Sequence, residues 1–231
     1  MENAYVAQRC GGRRVRDLTD AAPYIPGMPT EALRSAAAAS LRELSHSFTA
    51  RDPDDEVLEH IAETAAALTR EVDDAPARDR LKLMRRAIEE SLMGLGFEDR
   101  AVGGASNPTS VELDVRYDAD DVVADVTLRR SFEGAPGRAH GGIVAAAFDD
   151  VTGFVIAQLQ EPAFTGELTV RYVAPVPVDV PLEMRARLDG RERRKLFISG
   201  VARADSQVIA TCHATYVTVD PSTFALAPDP R

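Results

Sequence analysis

Two carboxylates and a glycine pair lie close together in one apolar segment of this sequence. His140-Gly141-Gly142 opens a run of helical, apolar character, and Asp149-Asp150 lies inside that run. Aspartate is a poor helix former and is rarely buried without a partner. The amides at a helix N-terminus can stabilise a developing oxyanion, and a carboxylate can activate water or attack directly. The segment therefore predicts an oxyanion donor at the start of a helix and a general base or nucleophile further along it.

The two aspartates are not equivalent candidates. On a helix, Asp149 shares a face with small residues, which leaves room for a substrate, and it is our candidate for the base or nucleophile. Asp150 lies about 100° around the helix and is the rival. Its structural alternative is to pair with an arginine or to cap a neighbouring strand. The alternative for Gly141-Gly142 is a simple turn into the helix.

Hydrophobic periodicity divides the chain into four parts. Residues 1–29 are rich in proline and glycine and indicate a disordered or wrapping tail, as do residues 221–231. Residues 30–96 indicate a helical extension, with helices over 30–48, 56–72 and 78–93, and the apolar residues of the second helix are expected to face inward. The period then becomes alternating between about residues 95 and 110. Residues 97–220 are therefore predicted to form the second domain.

The second domain is predicted to be an α+β layer. Alternating residues predict strands over 111–117, 122–130, 167–174, 182–188, 195–204 and 208–219, with the apolar helix between the second and third of them. An antiparallel sheet with one apolar face can bury such a helix.

Composition excludes several classes of function. The chain has 231 residues and a net charge of -10, so its overall field would repel nucleic acids and anionic membranes. Two distant cysteines favour a reducing, cytoplasmic location, and no apolar run approaches the length of a membrane span. The histidines lack ligand spacing, and nucleotide-binding fingerprints are missing, so neither a metal nor a cofactor is expected.

The motifs as a set resemble a known family. The Pro-Gly-Arg-Ala-His-Gly-Gly loop, an aspartate nine residues after the histidine, and the later Thr-Gly-Glu-Leu-Thr-Val-Arg-Tyr-Val-Ala-Pro-Val-Pro segment resemble hotdog-fold acyl-CoA thioesterases of the phenylacetic-acid-pathway type. The resemblance covers about residues 107–219. One departure is Gly134, because several relatives carry asparagine or glutamine six residues before the histidine.

The resemblance implies both an activity and roles for residues. The activity is hydrolysis of an acyl-CoA, with coenzyme A as part of the substrate, in a homodimer with sites at its interface and often in a tetramer. Asp149 would be the catalytic carboxylate, Gly141 the oxyanion donor with Gly142 close by, and Thr165 the hydroxyl that holds the attacking water. His140 would order the loop near the thioester, or serve a purely structural role.

A basic hairpin supplies candidate contacts for the phosphates of coenzyme A. Arg193, Arg194 and Lys195 lie in a turn entering a strand, and arginine forks suit phosphate oxygens. The alternative is a solvated turn. Two other functions stay open at this point: a hydratase or dehydratase acting on acyl thioesters, and a non-catalytic module of the same fold that binds acyl-CoA or takes part in assembly. The sequence does not reveal the preferred acyl chain.

Overall fold

The computed structural model describes residues 30–79 and 100–220. Two helices come first, α1 (Thr30–Ala50) and α2 (Asp55–Asp73), and a third, α3 (Gly141–Leu159), follows the fourth strand. The strands are β1 (Leu113–Asp118), β2 (Asp121–Thr127), β3 (Glu133–Ala135), β4 (Arg138–Ala139), β5 (Ala163–Tyr172), β6 (Pro181–Glu192), β7 (Lys195–Ala204) and β8 (Gln207–Thr218). The helix predicted over 78–93 and both predicted tails lie almost entirely outside the described residues.

Six of the strands form one antiparallel sheet in the order β1-β2-β6-β7-β8-β5. Helix α3 lies against one face of this sheet and contacts β2, β5, β6, β7 and β8. The short strands β3 and β4 form a separate hairpin directly before α3. The prediction of a hotdog fold preceded by helices is therefore confirmed. The β3–β4 hairpin and the 3-10 turn at Arg130–Phe132 were not predicted from the sequence.

Helix α3 is the centre of the core because it is apolar on nearly every side. Its buried residues are Val144, Ala147, Phe148, Val151, Thr152, Phe154, Val155 and Ile156. Burying each large apolar side chain contributes about 1.5–3 kcal/mol, so the sheet that covers them stabilises the fold. Within the described ranges, α3 is also the one helix long and apolar enough to cross a membrane, a property that core helices share.

Helix α1 packs on the domain through a face that is made of small and polar residues. Its buried residues are Ala38, Ala39, Arg42 and His46. The Arg42 guanidinium donates to the carbonyl oxygens of Ala105 (3.2 Å) and Asn107 (2.7 Å) and pairs with Glu112 at 3.2 Å. A buried cation needs such partners, so the contact is specific as well as close.

The apolar stripes of both helices largely face solvent, and the prediction that the apolar residues of the 56–72 helix point inward is wrong. Leu41, Leu44 and Phe48 of α1 are exposed, and α2 has no buried residue. On α2 the exposed large side chains are Val57, Leu58, Leu68 and Val72. Periodicity correctly identified the helices, but it could not identify the face that packs on the domain.

Gly200 provides a test of core packing. It lies in β7, where a Cβ would be 2.7 Å from the Sγ atom of Cys212 and 3.3 Å from the ring of Phe148. We expect Gly200→Ala to lower the free energy of unfolding by about 1–3 kcal/mol in urea titrations, because the packed neighbours must move. Gly190→Ala in β6 is the matched control, since nothing lies within 4 Å of its Cβ position. Equal effects of the two substitutions would contradict this account.

The pH dependence of stability tests how His46 contributes to the packing of α1 on the domain. Burial, and then the charge of Arg129, lower the pKa of His46 from 6.5. The unfolded chain therefore binds this proton more readily, and stability is lost as the pH falls below about 6.5. As the pH is lowered below about 6.5, we expect the free energy of unfolding of wild type to fall more than that of His46→Gln. A constant difference between the two proteins would contradict this assignment.

Candidate active site

The first turn of α3 leaves one amide available. His140 is the N-cap in an extended conformation, and its Nδ1 atom accepts a hydrogen bond from the Gly142 N–H at 3.0 Å. No described residue accepts a hydrogen bond from the Gly141 N–H. The Gly141 amide therefore lies at the positive end of the helix dipole with its donor unused, which is what an oxyanion donor requires.

A tyrosine holds the peptide on the other side of Gly141. The Tyr172 hydroxyl donates to the Gly141 carbonyl, and a Cβ at Gly141 would lie 3.1 Å from that hydroxyl oxygen. A side chain at this position would crowd the tyrosine, so glycine favours the close approach. In the sequence, Tyr172 belongs to a strand-end motif, and no role was predicted for it. The pairing across 31 positions of sequence had no local signal.

The loop before α3 is ordered by its own backbone and side chains. The His140 N–H donates to the Phe132 carbonyl at 2.8 Å, and the Glu133 carboxylate accepts from the Gly137 N–H. A Cβ at Gly134 would lie 3.0 Å from the Cα of His140, so a larger residue there requires a shift. The departure noted at Gly134 thus coincides with a tight contact between the loop and its histidine.

Asp149 lies further along α3 and is held by a hydroxyl. Its Oδ1 atom accepts a hydrogen bond from Thr165 Oγ1 at 2.9 Å. In the described part of the chain no cation pairs with this carboxylate, which is partly exposed. An unpaired carboxylate with access to solvent can accept a proton from water. The structure therefore brings Asp149 and Thr165 together, although they are 16 positions apart in sequence.

The backbone of Asp149 is fixed from behind by a buried tyrosine. The Tyr216 hydroxyl donates to the Asp149 carbonyl at 3.1 Å and lies 2.9 Å from the hydroxyl of Thr152. Burial raises the pKa of Tyr216, so the phenol stays protonated and keeps its donor. Thr165 and Tyr216 are register partners on β5 and β8. Tyr216 is a second residue to which the sequence analysis assigned no role.

Asp150 occupies a different environment from its neighbour. Its Oδ2 atom lies 3.4 Å from the Nε atom of Arg100, whose guanidinium stacks over the Phe154 ring at 4.7 Å. Burial raises the pKa of Asp150, and the charge of Arg100 opposes that rise. A Cβ at Gly103 would lie 2.3 Å from Oδ2, so the 100–104 loop packs directly on this carboxylate. Pairing with an arginine was the structural alternative for Asp150.

The basic hairpin forms the turn between β6 and β7. Arg193 has a positive φ of 52°, and both Nε and Nη2 of Arg194 donate to the Thr218 carbonyl, at 3.0 and 2.9 Å. Arg194 is thus engaged with the end of β8. The side chains of Arg193 and Lys195 are exposed.

Gly141 and Asp149 lie at separate places along α3. They are eight positions apart, which corresponds to a rise of about 12 Å. Both groups must approach within about 3 Å of the reacting atoms or of one bridging water. Among the described side chains, no cluster of histidine, cysteine, aspartate or glutamate is suited to a metal ion.

Comparisons with known proteins point to one family. Residues 136–211, from the β3–β4 turn into β8, match the family model described as the thioesterase superfamily. The chain contains a thioesterase-superfamily domain. A crystal structure described as a thioesterase superfamily protein superimposes on this chain with a TM-score of 0.68 and 26% sequence identity, covering 83% of this chain and 91% of that one. The superposition therefore extends well beyond residues 136–211, the region that matches the family model.

Curated relatives of the thioesterase domain match over shorter stretches. Human acyl-coenzyme A thioesterase THEM5 is 37% identical over 75 residues, which are 32% of this chain and 30% of that protein. Acyl-coenzyme A thioesterase THEM4 of Xenopus laevis is 32% identical over 91 residues, which are 38% of this chain and 41% of that protein. The matched region thus spans less than half the length of either relative.

Tyr172 provides a test of the turn that opens α3. Tyr172→Phe removes the hydroxyl that donates to the Gly141 carbonyl. A hydrogen bond of this kind contributes about 1 kcal/mol, so we expect the Gly142 amide, which donates to His140, to exchange about fivefold faster with deuterium. Amide exchange measured by NMR checks this, with Ala157 near the end of α3 as the internal control. Unchanged exchange at Gly142 would show that the hydroxyl does not hold the turn.

Proposed function

We propose that this protein hydrolyses acyl-CoA thioesters, with water as the nucleophile and Asp149 as the general base. The observation that carries the proposal is the Asp149 carboxylate. It is held by Thr165 at 2.9 Å and has no described cation beside it, inside a thioesterase-superfamily domain. The available Gly141 amide adds the oxyanion donor that such a reaction requires.

Each group has one task in the proposed reaction. Water held by Asp149 and Thr165 attacks the carbonyl carbon of the thioester and gives its proton to Asp149. The Gly141 N–H stabilises the resulting oxyanion, for which one donor contributes about 3–4 kcal/mol. The carbon–sulfur bond then breaks, and the proton passes from Asp149 to the sulfur of coenzyme A. Direct attack by Asp149 to give a mixed anhydride is the second route, and it uses the same residues.

We propose that a homodimer completes the site. The rise of about 12 Å between Gly141 and Asp149 leaves each copy with two half-sites rather than one whole site. Strand β5, which carries Thr165, lies at the edge of the sheet with only β8 beside it among the described strands. Phe164 and Val173 near its two ends are exposed. Pairing of β5 with its copy would place Asp149 near the Gly141 amide of a second molecule.

The exposed cations of the β6–β7 turn are the proposed contacts for the phosphates of coenzyme A. Arg193 and Lys195 are free to turn towards a ligand because both side chains are exposed. Arg194 keeps its contact with Thr218 and contributes charge. A local basic site would be needed because the chain as a whole carries a charge of -10.

Asp149→Asn tests the proposal most directly. We expect release of free thiol from acetyl-CoA, phenylacetyl-CoA or palmitoyl-CoA, whichever wild type turns over fastest, to fall at least about 100-fold in kcat. The amide keeps the shape of the side chain and can still accept from Thr165, so folding should be retained. Unfolding curves check the stability of the variant.

Asp205→Asn is the matched control, because this exposed turn residue has a φ of 51° that asparagine also tolerates. Turnover retained by Asp149→Asn would place the base elsewhere. Wild type that binds all three acyl-CoAs without releasing thiol would instead indicate the binding module.

A further inference from the structure

Helix α1 of the extension meets the domain at the segment that leads into the candidate active-site loop. It packs on the 3-10 turn Arg130–Phe132, directly before β3. The Arg129 guanidinium pairs with Glu43 of α1 through two hydrogen bonds, one of which is 3.0 Å long. The extension is therefore attached close to the loop rather than at a remote surface.

His46 makes the most specific of these contacts. Its side chain is only 4% exposed, and its Nδ1 atom lies 2.6 Å from the Ser131 hydroxyl and 3.3 Å from the Ser131 backbone nitrogen. The backbone N–H can only donate, so Nδ1 is the acceptor and the proton of the neutral ring is on Nε2. The ring also meets Phe132 edge-on, with centroids 5.3 Å apart.

The next contacts lead from Phe132 to the start of α3. The Phe132 carbonyl accepts the His140 N–H at 2.8 Å, and the His140 ring accepts the Gly142 N–H at 3.0 Å. Gly141 lies between His140 and Gly142 in the chain, so its amide is held on both sides. A continuous series of short contacts thus joins His46 to the first turn of α3.

We propose that His46 is a positioning residue for the His140-Gly141-Gly142 turn, so that the helical extension controls the placement of the oxyanion donor. This inference rests on the proposed thioester hydrolysis. His46 touches no substrate in this account, and acts by holding Ser131 and Phe132 in place. A displacement of 1 Å at a reacting group can cost about 100-fold in rate, so even a small shift of this segment would be measurable.

Two substitutions separate the hydrogen bond from the packing. His46→Leu fills similar space without an acceptor, whereas His46→Gln keeps an acceptor on a chain of similar reach. We expect His46→Leu to lower kcat about tenfold with KM changed less than about twofold, and His46→Gln to recover to within about threefold of wild type. Leu44→Gln on the exposed side of the same helix is the control and should match wild type.

Amide exchange supplies a readout that does not depend on activity. In His46→Leu we expect the amides of His140 and Gly142 to exchange about tenfold faster with deuterium, while Val151 in the middle of α3 is unchanged. Faster exchange at Val151 to the same degree would show a purely structural role and overturn the inference. Wild-type kcat, or wild-type exchange at His140, would each overturn it as well. If His46→Leu does not fold, Ser131→Ala replaces it and should show a smaller loss in the same two readouts.

The two proposals can fail separately. If wild type releases no thiol from any of the three acyl-CoAs, the proposed hydrolysis fails, and the exchange measurement alone decides whether His46 holds the turn. If hydrolysis is present but insensitive to His46→Leu, the positioning role fails and the proposed function stands.

Discussion

The burial of α3 against the sheet is the constraint on which the rest of the structure depends. A helix that is apolar on nearly every side is stable in water only where other elements cover it, and five strands do so here. Once it is covered, both of its candidate site positions are fixed relative to the strands. The turn at Gly141 comes to lie beside Tyr172, and Asp149 beside Thr165.

Two adjacent carboxylates on this helix are accommodated in different ways. Asp150 is largely buried and is compensated by Arg100 and by the loop that packs on it. Asp149 keeps partial access to solvent and a hydroxyl donor, while Tyr216 holds its backbone. A compensated carboxylate is well suited to a structural task, and an accessible one to proton transfer. The two residues are chemically identical, so the difference comes from their neighbours: an arginine beside Asp150 and a threonine hydroxyl beside Asp149.

The extension shows how far a hydrophobic pattern can be interpreted. Apolar residues at three- and four-residue spacing correctly indicated α1 and α2, because that spacing places them on one helical face. The face that meets the domain is nevertheless the one with Ala38, Arg42 and His46. Specific hydrogen bonds to the 105–112 segment and to Ser131 decide the docking, and no periodicity encodes them.

The sequence by itself determined the α+β class, the six main strands and the buried helix. It also located His140-Gly141 at the start of that helix and Asp149 further along it. Alternation, helical period and a charged residue in an apolar run are all local signals, so one sequence is enough to detect them. Only the tertiary structure decided that Thr165 meets Asp149, that Tyr172 holds Gly141, and that Arg100 lies beside Asp150. These contacts join residues far apart in the chain. Strand register and loop packing set them, and both depend on the fold as a whole.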